Sequence, residues 1–439
     1  MNKLETMNIR KLVVTMSGPI TISMLVQALY NIVDSIFVAK YSQDALLAVS
    51  LCYPVQTIMV AVSCGIGVGF NTVLARALGS KDHDKANKTV AQGILISLFN
   101  WGIFAVFGLL FSDNFLRMFS SNPTVISMGN MYIRICTMFS VGVFVQITYE
   151  RIVQATGNAF YNMLMQGLGA LMNIILDPIF IFYFNMGVSG AAVATVLGQC
   201  CAMFLGIYIV QKNVSDIELH AKDFYLSKNI LCEIYRIGVP ALLMQSIISF
   251  MTVFMNMILV QFSELAISVF NIYYKLQQFV FMAINGMTNA LVPIISYNVG
   301  ANKMNRSIES ISFTLKISTV IMALGLLAFQ MFPHHLLSMF SADEAMYELG
   351  VPALRIISLS FVFAGINMVL CSSFQALNHA SVSLWITLFR QMILLLPLTY
   401  VLAITFGLEN CWYSFLFTEI SCSLISVFNY TKIKHKIYS

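Results

Sequence analysis

Stretches of about 20 predominantly apolar residues recur along the whole chain, and they constrain the fold more than any other feature. A helix of that length crosses the hydrocarbon core of a bilayer, because each residue adds about 1.5 Å. Twelve such stretches begin near Leu12, Leu46, Val90, Val125, Tyr161, Ser189, Ile237, Ala266, Ile308, Ala345, Val382 and Cys411. We therefore predict an all-α integral membrane protein with twelve transmembrane helices.

The composition excludes a soluble domain. Of 439 residues, 59% are hydrophobic and 10% are charged, which is unlike any soluble domain of this length. The segment from Met1 to Arg10 is too short and too charged for a cleaved signal peptide, so the first apolar stretch is interpreted as a retained helix. The sequence shows no CxxC pair, no metal-ligand spacing of histidines and no P-loop. We expect no cofactor and no use of ATP.

The positions of Lys and Arg predict the orientation in the membrane. With the N-terminus inside, the basic residues of the connections fall almost entirely on the cytoplasmic side, as the positive-inside rule requires. They are Lys3, Arg10, Lys11, Arg76, Lys81, Lys85, Lys88, Arg151, Lys212, Lys222, Lys228, Arg236, Lys303, Arg306, Lys432, Lys434 and Lys436. Lys40 and Arg117 fall outside. We predict a multi-pass protein of a bacterial or archaeal cell membrane with both termini in the cytoplasm, and no binding to nucleic acid.

The two halves of the sequence repeat each other with a shift of 221 residues. Identical residues coincide without gaps from the first helix to the end of the fourth. The pairs are Pro19 and Pro240, Ala45 and Ala266, Tyr53 and Tyr274, Gln56 and Gln277, Gly65 and Gly286, Gly79 and Gly300, Arg134 and Arg355, and Gln154 and Gln375. Because six is an even number of crossings, both halves enter from the same side, as in parallel-repeat transporters.

The repeat predicts two six-helix lobes joined by a polar linker. We place the N-lobe at 1–212, a cytoplasmic linker at 213–233 and the C-lobe at 234–439. Pro19 lies well inside the first helix, where proline removes a backbone hydrogen bond and bends a helix. The bend is either static or changes during transport, and the sequence favours neither interpretation.

Two acids lie inside apolar stretches of the first half. Asp34 is in the first helix and Asp177 in the fifth, and neither has a basic neighbour in the sequence. A charged side chain in the membrane interior costs several kcal/mol, so such residues are candidates for function. The alternative is that structural hydrogen bonds satisfy both acids.

Residue depth brings three more oxygen-bearing side chains to the same level. Asp34 lies six residues before Lys40 and Asp177 eight before Asn185, while Thr195 lies six residues into the sixth helix. Each acid also has a polar residue one turn before it on the same helix face. We therefore predict that Tyr30, Asp34, Asn173, Asp177 and Thr195 form a site for Na⁺ or a proton. Pro178 adds a further oxygen, because it cannot bond the carbonyl of Ile174.

Several longer motifs resemble those of the multidrug and toxic compound extrusion (MATE) transporters over the full chain. They are Gly65-Ile66-Gly67-Val68-Gly69-Phe70 with Ala75-Arg76-Ala77-Leu78-Gly79-Ser80-Lys81-Asp82, the repeat partner Ile294-Ile295-Ser296-Tyr297-Asn298-Val299-Gly300-Ala301, and Gln154-Ala155-Thr156-Gly157-Asn158. In the DinF-like branch the positions of the five residues above form the N-lobe cation site, and Pro19 matches the proline of the first-helix bend. Some relatives also have acids on the seventh and tenth helices, but 237–261 and 350–371 contain no Asp or Glu here.

The resemblance implies a secondary active antiporter. It would export amphipathic or cationic organic compounds as a monomer in the lipid bilayer, in exchange for H⁺ or Na⁺. Candidate substrate-cavity residues are Gln27, Tyr53, Gln56, Lys275 and Gln277, for which structural pairing is an equal explanation. The alternative function is a flippase for lipid-linked saccharides of the same superfamily. An enzyme is not predicted, because no nucleophile or cofactor motif is found.

Overall fold

The structure of the protein is a computed structural model that describes residues 3–340 and 343–438. Both termini, Met1 and Ser439, lie outside the described residues, so their predicted cytoplasmic location is not addressed by the structure. Nearly all described residues are helical. The all-α prediction is therefore confirmed.

Six spans make up the first half. Five are single rods and the fourth consists of two helical segments. They are α1 (Ile9–Tyr41), α2 (Gln43–Gly79), α3 (His83–Leu110), α4 (Pro123–Met138 with Val141–Ala155), α5 (Ala159–Pro178, continued by a π-helical turn at Ile179–Tyr183) and α6 (Val188–Asn213). A short helix, Ser112–Arg117, precedes α4.

The second half repeats this order. Its spans are α7 (Lys228–Leu259), α8 (Glu264–Gly300), α9 (Met304–Met331), α10 (Glu344–Ser358 with Phe361–Ala376), α11 (Ala380–Phe406) and α12 (Tyr413–Tyr438). Among the described residues, ten helices are long and apolar enough to cross a membrane, and twelve spans result when each bent pair counts as one. This agrees with the twelve predicted helices.

The two bent spans occupy equivalent places in the repeat. The segments of α4 meet at 44° and those of α10 at 48°. A serine stands at each break, and its hydroxyl donates back to the helix: Ser140 Oγ to the carbonyl of Thr137, and Ser360 Oγ to that of Ile357, each at 2.7 Å. Such back-bonding competes with the helical hydrogen bonds and bends helices. The helices that contain Pro19 and Pro240 are unbroken by comparison.

The backbone itself repeats at the shift found in the sequence. Lys81 and Asn302 both have positive φ, at 60° and 57°, as do Gly157 and Asn378, at 81° and 68°. Members of each pair are 221 residues apart, and each ends a helix at the start of a tight connection. Since positive φ is uncommon outside glycine, its recurrence at one spacing shows that the halves share local structure as well as sequence.

Two compact units are present, and their boundaries differ from the predicted lobes. The first contains Gly18–Gly238 with the short segment before Met7, and the second contains Met7–Ser17 and the chain from Val239 onward. Both α1 and α7 therefore change unit inside the helix, immediately before Pro19 and Pro240 respectively. The predicted linker at 213–233 is correspondingly shorter, since α6 ends at Asn213 and α7 begins at Lys228.

The linker is held against α3, which explains why the first unit extends into α7. The Gln92 side chain donates to the carbonyl of Tyr225 at 2.9 Å and accepts from the amide of Ser227. Lys85 forms an ion pair with Glu233 at 2.8 Å. The start of α7 is therefore fastened to the first unit by the polar end of α3.

The glycine-rich motif of α2 forms a close helix crossing. A Cβ atom on Gly69 would lie 2.1 Å from the carbonyl oxygen of Ile234, and one on Gly238 would lie 2.9 Å from the Cα of Ile66. Only glycine permits backbones to approach so closely, as in small-residue crossings of membrane helices. The motif therefore serves helix packing and is not a phosphate-binding loop.

Candidate cation site

The two membrane acids meet inside the first unit. Asp34 on α1 and Asp177 on α5 lie within hydrogen-bonding reach of each other, and Asp177 is fully buried. Two carboxylates at this separation repel each other when both are charged. A proton shared between them, or a cation bound to both, removes that repulsion.

Asn173 connects this pair to α6. Its Nδ2 donates to Asp177 Oδ1 and to Thr195 Oγ1, both at 3.3 Å. Three buried oxygens of the group, Asp34 Oδ1, Asp177 Oδ2 and Asn173 Oδ1, have no hydrogen-bond donor among the described residues. Unpaired buried acceptors are costly. Three of them in one cluster therefore indicate a site for a ligand that oxygen atoms can coordinate, such as a proton or a metal cation.

Glycines of α6 bring the donor residues together. A Cβ on Gly190 would lie 2.7 Å from the Phe180 carbonyl group, and one on Gly198 would lie 2.7 Å from the Gly169 carbonyl oxygen. These two close approaches to α5 occur on either side of Thr195. They hold the α6 backbone near enough to α5 for Thr195 to reach Asn173.

The helix that carries Asp177 changes geometry directly after it. Pro178 ends the α-helical part of α5, and the next five residues form a π-helical turn, Ile179–Tyr183. Proline cannot donate the usual backbone bond, so the helix widens at this point. π-helical turns within α-helices are often found at functional sites.

A small cavity adjoins the cluster on one side. Its volume is about 30 Å³, which is room for about two water molecules. Tyr30, Asn173 and Thr195 line one part of it. The structure thus places all five predicted residues in one region of the first unit, as depth along the helices predicted. Their role in binding a cation stays a prediction.

The same cavity exposes polar residues that sequence reasoning missed. Gln146, Gln166 and Gln199 also line it, and Gln146 donates to the buried side chain of Glu150 at 2.8 Å. A usable signal was present, because Gln146 and Glu150 are four residues apart and share a helix face. The sequence alone did not indicate Glu150, because it precedes Arg151 near the end of α4. An acid and a basic residue in that position are typical of a polar helix end.

A comparison with protein families identifies the family of the chain. A family model described as MatE matches residues 19–179 and again 240–401. The chain belongs to the MatE family. The second match begins 221 residues after the first, which is the shift of the internal repeat.

Relatives of this MatE protein include proteins named as multidrug exporters. The multidrug export protein MepA of Staphylococcus aureus (strain MRSA252) is 27% identical over 416 residues, covering 94% of this chain and 91% of MepA. MepA of Staphylococcus haemolyticus (strain JCSC1435) is 27% identical over 435 residues, covering 99% and 96%. A solved structure described as the outward-facing conformation of a multidrug resistance MATE family transporter of the MOP superfamily has a TM-score of 0.92 at 24% identity, covering 100% of this chain and 98% of that one.

Three of the five residues predicted to line a substrate cavity make contacts within their own units of the MatE protein. In the first unit, Gln56 Nε2 donates to the Tyr132 hydroxyl at 3.0 Å, whereas Tyr53 is 64% exposed. In the second, the Tyr273 hydroxyl donates to Gln277, and Lys275 lies over the Phe340 ring at 6.0 Å. Gln27 is partly buried on α1. Contact of these residues with a substrate stays a prediction.

The second unit of the MatE protein contains a buried ion pair. Arg390 on α11 lies 3.4 Å from Glu419 on α12, and both side chains are almost buried. Glu419 Oε2 also accepts from Asn367 Nδ2 at 2.7 Å, and Asn367 accepts in turn from Ser426. Mutual pairing therefore accounts for these charges. Unlike the Asp pair, this acid has a cation of the protein itself as its partner.

Proposed function

We propose that this protein is a secondary active exporter that expels amphipathic or cationic organic compounds in exchange for inward H⁺ or Na⁺. The observation that carries the proposal is the pair of Asp34 and Asp177, which has unpaired buried oxygens and no basic partner among the described residues. The multidrug export named for its MepA relatives supports the drug side of the exchange.

The proposed driving force is the entry of the cation. Each cation that moves inward gains about 2.3 kcal/mol per 100 mV of membrane potential, before any concentration gradient is counted. That energy drives export of the drug only if the cation and the drug prefer different conformations of the carrier. Asp34 is placed to provide this preference, because a cation shared with Asp177 ties α1 to α5.

The position of Pro19 supports a conformational change within α1. Asp34 and Pro19 lie in one continuous helix, and the helix changes compact unit immediately before the proline. The backbone is weakened there, because proline removes a hydrogen bond. In the proposed cycle, cation binding at Asp34 favours one arrangement of α1 and lowers the affinity for drug. Loss of the cation restores the other arrangement.

We place the protein in a bacterial cell membrane as a monomer, with the basic connections and both termini in the cytoplasm. The substrates are small organic molecules, and no cofactor beyond the coupling ion is proposed. The donor set does not distinguish the ions, since carboxylate, amide and hydroxyl oxygens suit Na⁺ and paired carboxylates suit a proton.

The deciding experiment is efflux of a fluorescent organic cation from proteoliposomes under separate gradients. We expect either an imposed Na⁺ gradient or an imposed pH gradient to accelerate efflux, and the effective gradient identifies the ion. Vesicles without protein are the control. Efflux that responds to neither gradient would contradict antiport. Transfer of a labelled lipid-linked saccharide in the same vesicles would support the flippase instead.

A further inference from the structure

Glu150 on α4 is a buried acid outside the Asp34–Asp177 pair. Its side chain is 6% exposed, and Oε1 accepts from Gln146 Nε2 at 2.8 Å. It also contacts the Gln166 side chain on α5. Charged side chains are rare within spans and usually mark an ion pathway. A glutamine would satisfy the same neighbours, so hydrogen bonding alone does not explain why the residue is an acid.

The cavity beside the cation site is lined by residues that contact Glu150 and by residues of that site. Both amide partners of Glu150, Gln146 and Gln166, line the cavity together with Asn173 and Thr195 of the cation site. Asn173 is 2% exposed, and its Oδ1 has no donor among the described residues. The cavity therefore presents an unpaired buried oxygen together with room for about two water molecules.

Position along the helices places Glu150 on the inner side of this cavity. Asp177 lies 18 residues after the start of α5 at Ala159, which is about 27 Å along the axis. Glu150 lies five residues before the end of α4 at Ala155, which is about 7.5 Å from the same end of the unit. That end carries the basic connections and is predicted to face the cytoplasm.

Polar side chains divide the intervening distance into short steps. Counted from the same end, Asn173 lies at about 21 Å, Gln146 at about 13 Å and Gln166 at about 10 Å. Gln199, one turn inward from Thr195 on α6, borders the same cavity. These residues come from three helices and form one polar file that runs inward from Asn173.

We propose that Glu150 is a second cation-binding acid, through which the coupling ion passes from the Asp34–Asp177 pair to the cytoplasm. The ion is a monovalent cation held by carboxylate and amide oxygens, either a proton or Na⁺. This inference rests on the proposed antiport. It adds the inner release route, which the five-residue site does not contain.

The surroundings of Glu150 suit a transient site. The charged group nearest in sequence is Arg151, whose guanidinium donates to Gln154 at 2.9 Å and packs on Gly67. Cys64 on α2 and Tyr30 on α1 are the titratable groups that approach from other helices, while α5 and α6 contribute neutral amides. A nearby positive charge weakens cation binding at Glu150. The ion is therefore not trapped there on its way out.

The test separates cation release from drug movement. Proteoliposomes with wild-type protein or Glu150→Gln are assayed for gradient-driven efflux and for exchange of labelled against unlabelled drug, with Na⁺ and pH gradients as separate arms. Exchange requires the drug-loaded carrier to reorient but does not require inward release of the ion. We expect Glu150→Gln to slow gradient-driven efflux at least about tenfold, a barrier rise of about 1.4 kcal/mol, while exchange keeps its wild-type rate.

Further variants guard against a purely structural effect. Thr148→Val on the same helix removes a hydroxyl that bonds Ser97 outside the cavity lining, and it should leave both rates unchanged. Gln166→Leu and Gln199→Leu keep Glu150 but make the route apolar. They should reproduce the selective loss, and they provide the test if Glu150→Gln fails to fold.

The outcomes distinguish this inference from the proposed function. If wild-type efflux ignores both gradients, antiport fails and the release route fails with it. If wild-type efflux is coupled but Glu150→Gln is equally fast, only the release route is overturned. Equal loss of efflux and exchange in Glu150→Gln and in both leucine variants also overturns it, because the acid and its cavity would then support the carrier as a whole.

Discussion

Asp34→Asn is expected to reduce gradient-driven efflux to the rate of vesicles without protein. The substitution keeps the size and hydrogen-bonding capacity of the side chain, so contact with Asp177 survives. It removes the charge that a proton or Na⁺ would neutralise. Without that charge, the cation no longer discriminates between the two arrangements of α1, and a ligand with equal affinity for both states cannot drive a cycle. Efflux from proteoliposomes measures this effect.

A matched control for Asp34→Asn is available on the next helix. Asp44 lies exposed in the first turn of α2, so Asp44→Asn removes an acid at the protein surface. We expect it to retain wild-type efflux. Both variants should elute from size exclusion as the wild type does, because neither loses buried packing. Wild-type efflux in Asp34→Asn would show that this acid does not couple transport.

Gly69→Ala is expected to have the largest effect on stability. Its Cβ would lie 2.1 Å from the carbonyl oxygen of Ile234, a backbone atom that cannot rotate away. The start of α7 must therefore move away from α2. Overpacking of this kind costs about 1–3 kcal/mol, and the shift also disturbs the bonds that hold the linker on α3. Thermal unfolding of the purified protein in detergent measures the loss.

Gly102→Ala provides the comparison for this variant. Gly102 lies on α3 with no atom within 4 Å of its added Cβ. Alanine replaces glycine there without a clash, and it should keep or raise the stability by about 0.5–1 kcal/mol, because it restricts the unfolded chain. Equal unfolding temperatures for Gly69→Ala and Gly102→Ala would contradict the close crossing of α2 and α7.

The sequence predicted those features that depend on hydrophobicity and helix geometry. Apolar stretches of membrane length identified the twelve spans, because a bilayer requires such lengths. A regular rise per residue placed Asp34, Asp177 and Thr195 at one depth, and the structure has them in one region. Both inferences needed only the length and rise of a helix.

Features that depend on packing between helices were not predictable in the same way. The sharp bends of α4 and α10 occur at Ser140 and Ser360, although proline was expected to mark the bends. Serine bends a helix only when its hydroxyl turns back to a carbonyl, and the sequence does not show that choice. The change of unit within α1 and α7 likewise follows from contacts between residues far apart in the chain.

Glu150 illustrates the limit most clearly. The sequence places it beside a basic residue near a helix end, which is typical of a solvated surface. Only the packing of α5 and α6 against α4 shows that the acid is buried and that its amide partners, Gln146 and Gln166, line the cavity of the cation site. The position of Glu150 near the end of α4 therefore did not predict whether its side chain is exposed to solvent.

The central claim is that a cation at the Asp34–Asp177 pair and a drug oppose each other's binding. The most direct measurement is the equilibrium affinity of purified protein for a fluorescent drug, against Na⁺ at fixed pH and against pH at fixed Na⁺. We predict that the coupling cation weakens drug binding by about 5- to 150-fold in the wild type, the usual range of such coupling. Asp177→Asn should abolish this dependence, and Glu419→Gln, in the ion pair of the other unit, should retain it. A dependence that survives Asp177→Asn and disappears in Glu419→Gln would contradict the account and place the cation site in the second unit.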